Sequence, residues 1–289
     1  MMKNAVVLAG GGATGAYHIG VLKALSEFCP DVEQPFDIIC GVSAGAINAA
    51  GLASGSSLFR HTITRMEYLW STLESSSVYH SDLWGISQHF SHLNQAILSG
   101  KSYNEKNMSL LDTSPLLDFL NTHINFDAVQ SNISQKKIDS LCVTACRYGS
   151  GQSITFFQTS ADHNDWYQER DLEQTRLINA LINLIPPDVL KENRPDLYPL
   201  ELMEITPSQS IDELASRHLG TLPRNMRRLL LSGKSDGISG NSLASYLMFE
   251  KDFCFELINL GYRDTRHFRD RLNHFFNQNQ THLEKKNGL

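Results

Sequence analysis

The chain has 289 residues, of which 41% are hydrophobic and 19% are charged, a composition typical of globular proteins. Its formal net charge of -6 argues against nucleic acid as the main partner, because proteins that bind nucleic acid present a basic surface. No apolar run reaches the roughly 18 residues of a membrane span, and the apolar stretch after Met1 is too short for a signal peptide.

The chain begins with two strand-turn-helix units. Ala5–Leu8 is predicted to be a short strand, followed by the glycine loop Gly10–Gly15 and by a helix over Ala16–Leu25 with apolar residues at helical spacing. A second unit covers Phe36–Ala53, where a β-branched strand, a tight turn and a run of small residues follow one another. Two such units predict an α/β fold with a central, mainly parallel sheet flanked by helices.

The remaining elements are predicted from periodicity, prolines and caps. They are a helix over Arg60–Leu73, a Ser- and His-rich insertion at Ser75–Ser102, a helix within Ser109–Phe126, a hairpin of Ser140–Ala145 and Ser153–Gln158, a helix over Leu172–Ile185, a strand at Leu200–Ile205, a helix capped near Ser210, and a mostly helical stretch over Asn241–Phe276. We therefore expect an α/β domain over residues 5–205, shortened after about residue 160, and a helical C-terminal extension over 206–289.

The turn Gly41–Gly45 has the pattern Gly-x-Ser-x-Gly between a predicted strand and a predicted helix. A serine on so tight a turn is lifted clear of the backbone, and the flanking glycines relieve the strain. The pattern predicts that Ser43 is displayed as a nucleophile. A Gly/Ser turn leading into a buried helix produces the same five residues, so the context of the turn decides between the two interpretations.

The loop Gly10–Gly15 matches Gly-x-Gly-x-x-Gly, so a dinucleotide site is the first alternative. That site needs an acid at the tip of the second strand, where this chain has Gly41–Gly45 instead. The carboxyl ends of neighbouring parallel strands lie at the same edge of a sheet. We therefore expect Ser43 Oγ to face the amides of Gly11 and Gly12, which would stabilise a developing oxyanion.

The two glycine motifs, about thirty residues apart, resemble those of the patatin-like phospholipase family. The helix Ala16–Leu22 and the small residues Ala46–Ala50 fit the same family, and Ser140–Phe157 is similar to a later strand pair of it. The resemblance implies hydrolysis of acyl esters of phospholipids or related lipids at a membrane surface, without cofactor or metal. By carry-over it assigns three sets of site residues, namely the nucleophile Ser43, the oxyanion hole Gly10, Gly11 and Gly12, and the elbow glycines Gly41 and Gly45.

The family activates its serine with an aspartate from an Asp-Gly turn at the end of a later strand, which acts as a general base. Between Thr159 and Leu172 this chain has no Asp-Gly and no apolar strand. Its one Asp-Gly is Asp236-Gly237, in the polar surroundings typical of a loop between helices. Two hypotheses stay open: an active lipid acyl hydrolase whose base is Asp236 or another acid, and a shortened, catalytically weak homologue that binds lipid or a partner protein.

The histidines offer a second route to a base, a Ser-Asp-His triad, but eleven histidines make any chain order uninformative. We expect His18 to lie on a helix face, and we expect a solvated surface for His80, His89 and His92. Aromatic residues near the expected site mouth predict either contact with a bilayer or core packing. They are Trp70, Tyr79, Trp84 and Phe90.

The five cysteines are scattered, and several lie in apolar runs where a reduced core cysteine is expected. No Cys/His spacing indicates a metal site. This usage indicates a reducing compartment, so we expect a cytoplasmic protein, with or without peripheral contact to a membrane.

Overall fold

The computed structural model describes residues 3–28, 30–55, 58–80, 112–147, 152–159, 172–194, 197–224, 226–227 and 240–276. The chain divides into two compact units. The first comprises Met1–Ser160 and Thr206–Leu289, and the second comprises Ala161–Ile205. The predicted insertion lies mostly outside the described residues, as do Trp84, Phe90, His89, His92 and Asp236.

A mixed four-stranded sheet forms the centre of the first unit. Its strands are β1 (Ala5–Leu8), β2 (Ile38–Val42), β3 (Ser140–Cys146) and β4 (Ser153–Thr159), in the spatial order β1-β2-β3-β4. The pairs β1/β2 and β2/β3 are parallel, whereas β3/β4 is the predicted antiparallel hairpin. The predicted α/β fold with a mainly parallel sheet is confirmed, and the register sets Leu8 opposite Gly41 at the carboxyl edge of β1 and β2.

Helices of the first unit flank this sheet. In chain order they are a 3-10 turn at Gly12–Gly15, α1 (Ala16–Phe28), α2 (Ala44–Ala53), α3 (Phe59–Ser71), a 3-10 turn at Ser75–Ser77, α4 (Ser114–His123) and α5 (Phe126–Ser134). The second unit holds α6 (Leu172–Asn183) and α7 (Pro187–Asn193). The first unit then continues with α8 (Ile211–His218), α9 (Gly240–Leu247), α10 (Lys251–Arg266) and a helix over 269–276. Helix α2 packs against β2 and β3, where Ile39 and Leu141 are buried.

Glycines allow α1 and α10 to approach closely. A Cβ on Gly20 would collide with the carbonyl oxygen of Ile258, and a Cβ on Gly261 would collide with that of Tyr17. The predicted extension over 206–289 thus contributes α10 to the same compact unit as the glycine loop and the sheet. The division into an α/β domain over 5–205 and a distinct extension over 206–289 remains a prediction.

A buried carboxylate ties α10 to distant segments. Asp264 Oδ2 accepts hydrogen bonds from the Tyr17 hydroxyl at 3.0 Å and from the Ser208 amide at 2.9 Å, and Oδ1 accepts from Ser208 Oγ at 2.5 Å. Burial, followed by the hydrogen bond and the charge of Asp264, raises the pKa of Tyr17. At neutral pH the phenol is therefore protonated and donates to Asp264.

The second unit corrects one prediction. Leu200–Ile205 is not a strand. The Asn179 side chain of α6 instead bonds both backbone groups of Leu200, accepting from its amide at 2.9 Å and donating to its carbonyl at 2.7 Å. A stretch of mostly apolar residues forms a strand only when a neighbouring strand pairs with its backbone, and at Leu200 a side chain bonds the backbone instead.

Candidate active site

Ser43 occupies the turn between β2 and α2 with an unusual backbone conformation. Its φ of 53° lies in the left-handed region that non-glycine residues rarely adopt, and the residue is exposed. Its amide donates to the Thr144 carbonyl of β3 at 3.3 Å, which fixes the turn to the sheet. Strain of this kind persists only where the surroundings impose it, and it is concentrated at functional sites.

The flanking glycines of the turn are required by close packing. A Cβ on Gly41 would collide with the carbonyl of Gly45, and a Cβ on Gly45 would collide with the carbonyls of Leu8 and Ala9. The start of α2 therefore lies directly against the end of β1. This contact brings the glycine loop that follows β1 to the serine.

The glycine loop begins beside the serine. A Cβ built on Gly10 would lie 3.4 Å from Ser43 Cβ. Gly12 has a φ of 59°, which favours glycine, and its α-carbon faces the backbone carbonyl of Tyr246. Within the described ranges, the amides of Gly11 and Gly12 donate to no protein acceptor. They are therefore available to an oxygen atom bound next to Ser43.

The hydrogen-bond partner that the structure gives Ser43 Oγ is the Tyr246 hydroxyl of α9, at 3.4 Å. Among the described residues, no carboxylate lies within hydrogen-bonding distance of Ser43 Oγ. The assignment of Asp236 as a base stays a prediction, because that residue lies outside the described ranges. Sequence reasoning missed Tyr246, which is 203 positions from Ser43 and belongs to no motif.

A cavity of about 560 Å³ extends from the serine along α2, a size usual for a small-molecule site. It begins at Gly12 and Ser43 and reaches Gly55, just beyond the end of α2. Its walls are mostly apolar and include Ile47, Met66, Leu69, Trp70, Leu73, Val78, Tyr79, Leu116, Phe119, Leu120, Ile124 and Phe249. At the end far from the serine, the wall also includes the polar residues His61, Arg65 and His123.

Asn48 is a buried polar residue in the cavity wall, and its amide group is fully used. It donates to the Gly15 carbonyl at 2.9 Å and accepts from Trp70 Nε1 at 2.8 Å. His18 Nδ1 lies 3.4 Å from Asn48 Nδ2, and burial lowers the pKa of His18 to about 4. A neutral His18 at neutral pH accepts from Asn48, and it shows no hydrogen bond to Ser43.

The aromatic residues that the structure describes near the site belong to its wall. Trp70 and Tyr79 are buried, which favours core packing over insertion into a bilayer, and Trp70 stacks on Phe249 at 6.3 Å between ring centroids. His80 is exposed and lies 4.0 Å from Asp112. None of the described helices is long and apolar enough to cross a membrane. No group of three or more His, Cys, Asp or Glu side chains in the described ranges is arranged to hold a metal ion.

The chain is similar to known proteins of one family. The family model described as patatin-like phospholipase matches residues 6–182, which include both glycine motifs and the sheet apart from Ala5. No curated protein matches the chain. A solved structure, that of the heterodimeric ExoU–SpcU complex from the type III secretion system of Pseudomonas aeruginosa, aligns with 17% identity and a TM-score of 0.31, covering 93% of this chain and 52% of the other. The chain thus spans about half the length of that relative.

The family match covers more than half of the chain and includes the strand-turn-helix units on which the resemblance was based. The chain belongs to the patatin-like phospholipase family, a family of lipid acyl hydrolases.

Proposed function

We propose that this protein is a serine-dependent lipid acyl hydrolase in which Ser43 attacks the ester carbonyl. One observation supports this most directly: an exposed serine with strained backbone lies beside unpaired loop amides at one end of an apolar cavity. Family membership supports lipid acyl hydrolysis in general. The roles of the individual residues are our assignment.

In the proposed reaction, Ser43 Oγ forms a bond to the acyl carbon, and negative charge develops on the carbonyl oxygen. The amides of Gly11 and Gly12, in the loop that begins at Gly10, donate to this oxygen. One donor of this kind lowers the barrier by about 2.7–4 kcal/mol when it is placed in advance. Gly41 and Gly45 contribute by holding the turn in the conformation that exposes the serine.

The cavity is the proposed site of the acyl chain. Helix α2 is roughly 15 Å long, given the helical rise per residue, so a long acyl chain can lie along it from Ser43 towards Gly55. An apolar wall of this length favours acyl esters of phospholipids or related lipids over small polar esters. The substrate therefore has to be presented from a lipid surface or a micelle.

A second candidate function is lipid binding by a catalytically weak homologue. It is favoured by the finding that no described carboxylate reaches Ser43 Oγ. A nucleophile without its base loses most of its rate advantage, as much as about 10⁴- to 10⁶-fold in a serine protease. Such a protein would keep the cavity and its affinity for lipid while turning over slowly.

The experiment is release of fatty acid from phospholipid vesicles by the purified protein, by Ser43→Ala, and by the control Ser216→Ala. Ser216 is an exposed serine of α8 that does not line the cavity. We expect Ser43→Ala to lose at least about 10⁴-fold of the activity and Ser216→Ala to retain it. Activity that survives in Ser43→Ala would overturn the proposal. Inactive wild-type protein that binds the vesicles would favour the second candidate.

A further inference from the structure

Tyr246 reaches Ser43 from a part of the chain outside the family match. The match ends at residue 182, whereas Tyr246 belongs to α9. Its hydroxyl is 3.4 Å from Ser43 Oγ, and 44% of the residue is exposed. The phenol therefore touches the proposed nucleophile and is open to a substrate at the same time.

The position of Tyr246 is fixed by both of its neighbours in the chain. On one side, buried Ser245 donates to Asp212 Oδ1 of α8 at 2.7 Å. On the other, the Leu247 carbonyl accepts from the Tyr79 hydroxyl at 2.8 Å. The backbone carbonyl of Tyr246 also lies against Gly12, where any side chain would displace it. These contacts hold the phenol over the serine and the glycine loop together.

We propose that the Tyr246 hydroxyl relays the proton between Ser43 and the leaving group. As Ser43 Oγ bonds to the acyl carbon, its proton passes to the phenol oxygen, and the phenol proton passes to the alcohol oxygen as the carbon–oxygen bond of the ester breaks. The products are the acyl-serine, a neutral alcohol and an unchanged Tyr246. In deacylation, the oxygen of a water molecule bonds to the acyl carbon while one of its protons passes to the phenol oxygen. The phenol proton passes to Ser43 Oγ as the bond between the acyl carbon and Oγ breaks. The products are the fatty acid, free Ser43 and an unchanged Tyr246.

The relay supplies a proton acceptor for Ser43 Oγ. Among the described residues, no carboxylate is in reach of Ser43 Oγ to accept its proton, while a hydroxyl is. A single group that both accepts and donates keeps the proton count balanced without a charged partner. The distance of 3.4 Å is long for proton transfer, but catalytic hydrogen bonds in ligand-free enzymes are often long and shorten when substrate binds.

A purely structural role for Tyr246 predicts a different outcome. If the phenol only covers the glycine loop, its loss disturbs every substrate to a similar degree. If it relays the proton, its loss is most harmful when the leaving alkoxide needs protonation. A nitrophenolate departs as the anion and does not need it. The ratio of the two effects therefore separates relay from packing.

The experiment rests on the proposed function and compares Tyr246→Phe with wild type on two esters of one long-chain acid, an alkyl ester and a nitrophenyl ester. We measure kcat/KM, which reports acylation. For Tyr246→Phe we expect kcat/KM to fall about 100-fold or more on the alkyl ester, within the usual range of general acid–base catalysis. The fall in kcat/KM on the nitrophenyl ester should be at least about ten times smaller. The matched control is Tyr68→Phe, an exposed tyrosine of α3 outside the cavity, which should retain both activities.

Ser43→Ala is run alongside to keep the two proposals distinguishable. Loss of activity in Ser43→Ala together with equal losses, or none, on both esters in Tyr246→Phe overturns the relay and leaves the proposed function standing. Full activity in Ser43→Ala overturns both. Thermal unfolding of each variant sets an assay temperature at which all of them are folded.

Discussion

At the scale of single residues, the site concentrates backbone strain. Ser43 and Gly12 have φ values of 53° and 59°, and both lie against Tyr246, Ser43 at its phenol hydroxyl and Gly12 at its backbone carbonyl. Left-handed backbone costs a non-glycine residue about 1–2 kcal/mol. The fold tolerates this cost at Ser43, where the conformation exposes the hydroxyl, and avoids it at Gly12 by having no Cβ.

Gly12→Ala is therefore expected to be destabilising. The new methyl group would impose left-handed strain and collide with the Tyr246 carbonyl, so we expect a loss of at least about 1 kcal/mol in the free energy of unfolding. Urea denaturation measures it. Gly220→Ala is the matched control, because a Cβ at Gly220 meets nothing within 4 Å. Equal stability of the two variants would contradict the described loop.

The lowered pKa of His18 predicts that the stability of the protein depends on pH. Burial lowers its pKa from the ordinary 6.5 to about 4 in the folded protein. Between these values the unfolded chain binds a proton that the folded protein does not, so the free energy of unfolding falls as the pH drops from about 6.5 to about 4. His18→Gln should show a shallower fall than wild type in denaturation at several pH values. The exposed His267→Gln serves as control, and the idea fails if both variants follow the wild-type curve.

Sequence could predict some residues of the site and not others, for a physical reason. The turn that carries Ser43 has a local signature, a five-residue pattern between a strand and a helix, although the packing of Gly45 against the end of β1 is tertiary. Tyr246 and Asn48 are placed by tertiary packing, and the Ser43–Tyr246 contact spans 203 positions. A lone tyrosine in a helical stretch has no local signature of such a contact, so only the structure could assign it.

At the scale of elements, α2 connects Ser43 to the apolar cavity. Its first residues lie against the end of β1 and its flank lines the cavity as far as Gly55. Gly51 lies midway, and a Cβ there would be 3.3 Å from Met66 Cε, the flexible end of a side chain. A larger side chain at this position would fill the far half of the cavity.

Gly51→Leu is expected to shorten the acyl chain that the protein accepts. Each methylene removed from an apolar wall forfeits about 0.8 kcal/mol, so kcat/KM for esters of about twelve carbons should fall more than tenfold, whereas four-carbon esters should be little affected. Hydrolysis of a chain-length series measures this. Gly51→Ala is the control, since its methyl group only displaces Met66 Cε slightly. A uniform loss across the series would place the acyl chain elsewhere.

Elements with strong local signals were predictable from the sequence. Strands β1 and β2, their helices, the β3/β4 hairpin and the Ser210 cap of α8 all lie where patterns and caps indicate. The predicted strand at Leu200–Ile205 was wrong. The sequence pattern reports on that segment alone, whereas a strand forms only when a neighbouring strand pairs with its backbone. The side chain of Asn179, remote in sequence, satisfied the backbone of Leu200 instead.

At the scale of the whole molecule, the C-terminal helices complete the first compact unit. Helix α10 packs on α1 through Gly20 and Gly261, and α9 lies on the glycine loop. Asp264 connects Tyr17 and Ser208 within the same unit. Residues after 205 thus cover surfaces that the first 160 residues would otherwise expose to water.

A chain truncated after residue 205 tests this arrangement. We expect it to show no cooperative unfolding transition in urea, since α1 loses the helix that covers its buried side and Tyr17 loses its acceptor. The transition of the full chain is the reference. Cooperative unfolding of the truncated chain would instead support a separate helical extension over 206–289.

The most direct test of the central claim is covalent labelling of the folded protein with a fluorophosphonate, followed by peptide mass mapping. Such a probe reacts with a serine that is both exposed and activated. We predict a single adduct, on the peptide that contains Ser43, which disappears in Ser43→Ala and forms more slowly in Tyr246→Phe. A folded wild-type protein that stays unlabelled, or one labelled at another residue, would contradict Ser43 as the nucleophile.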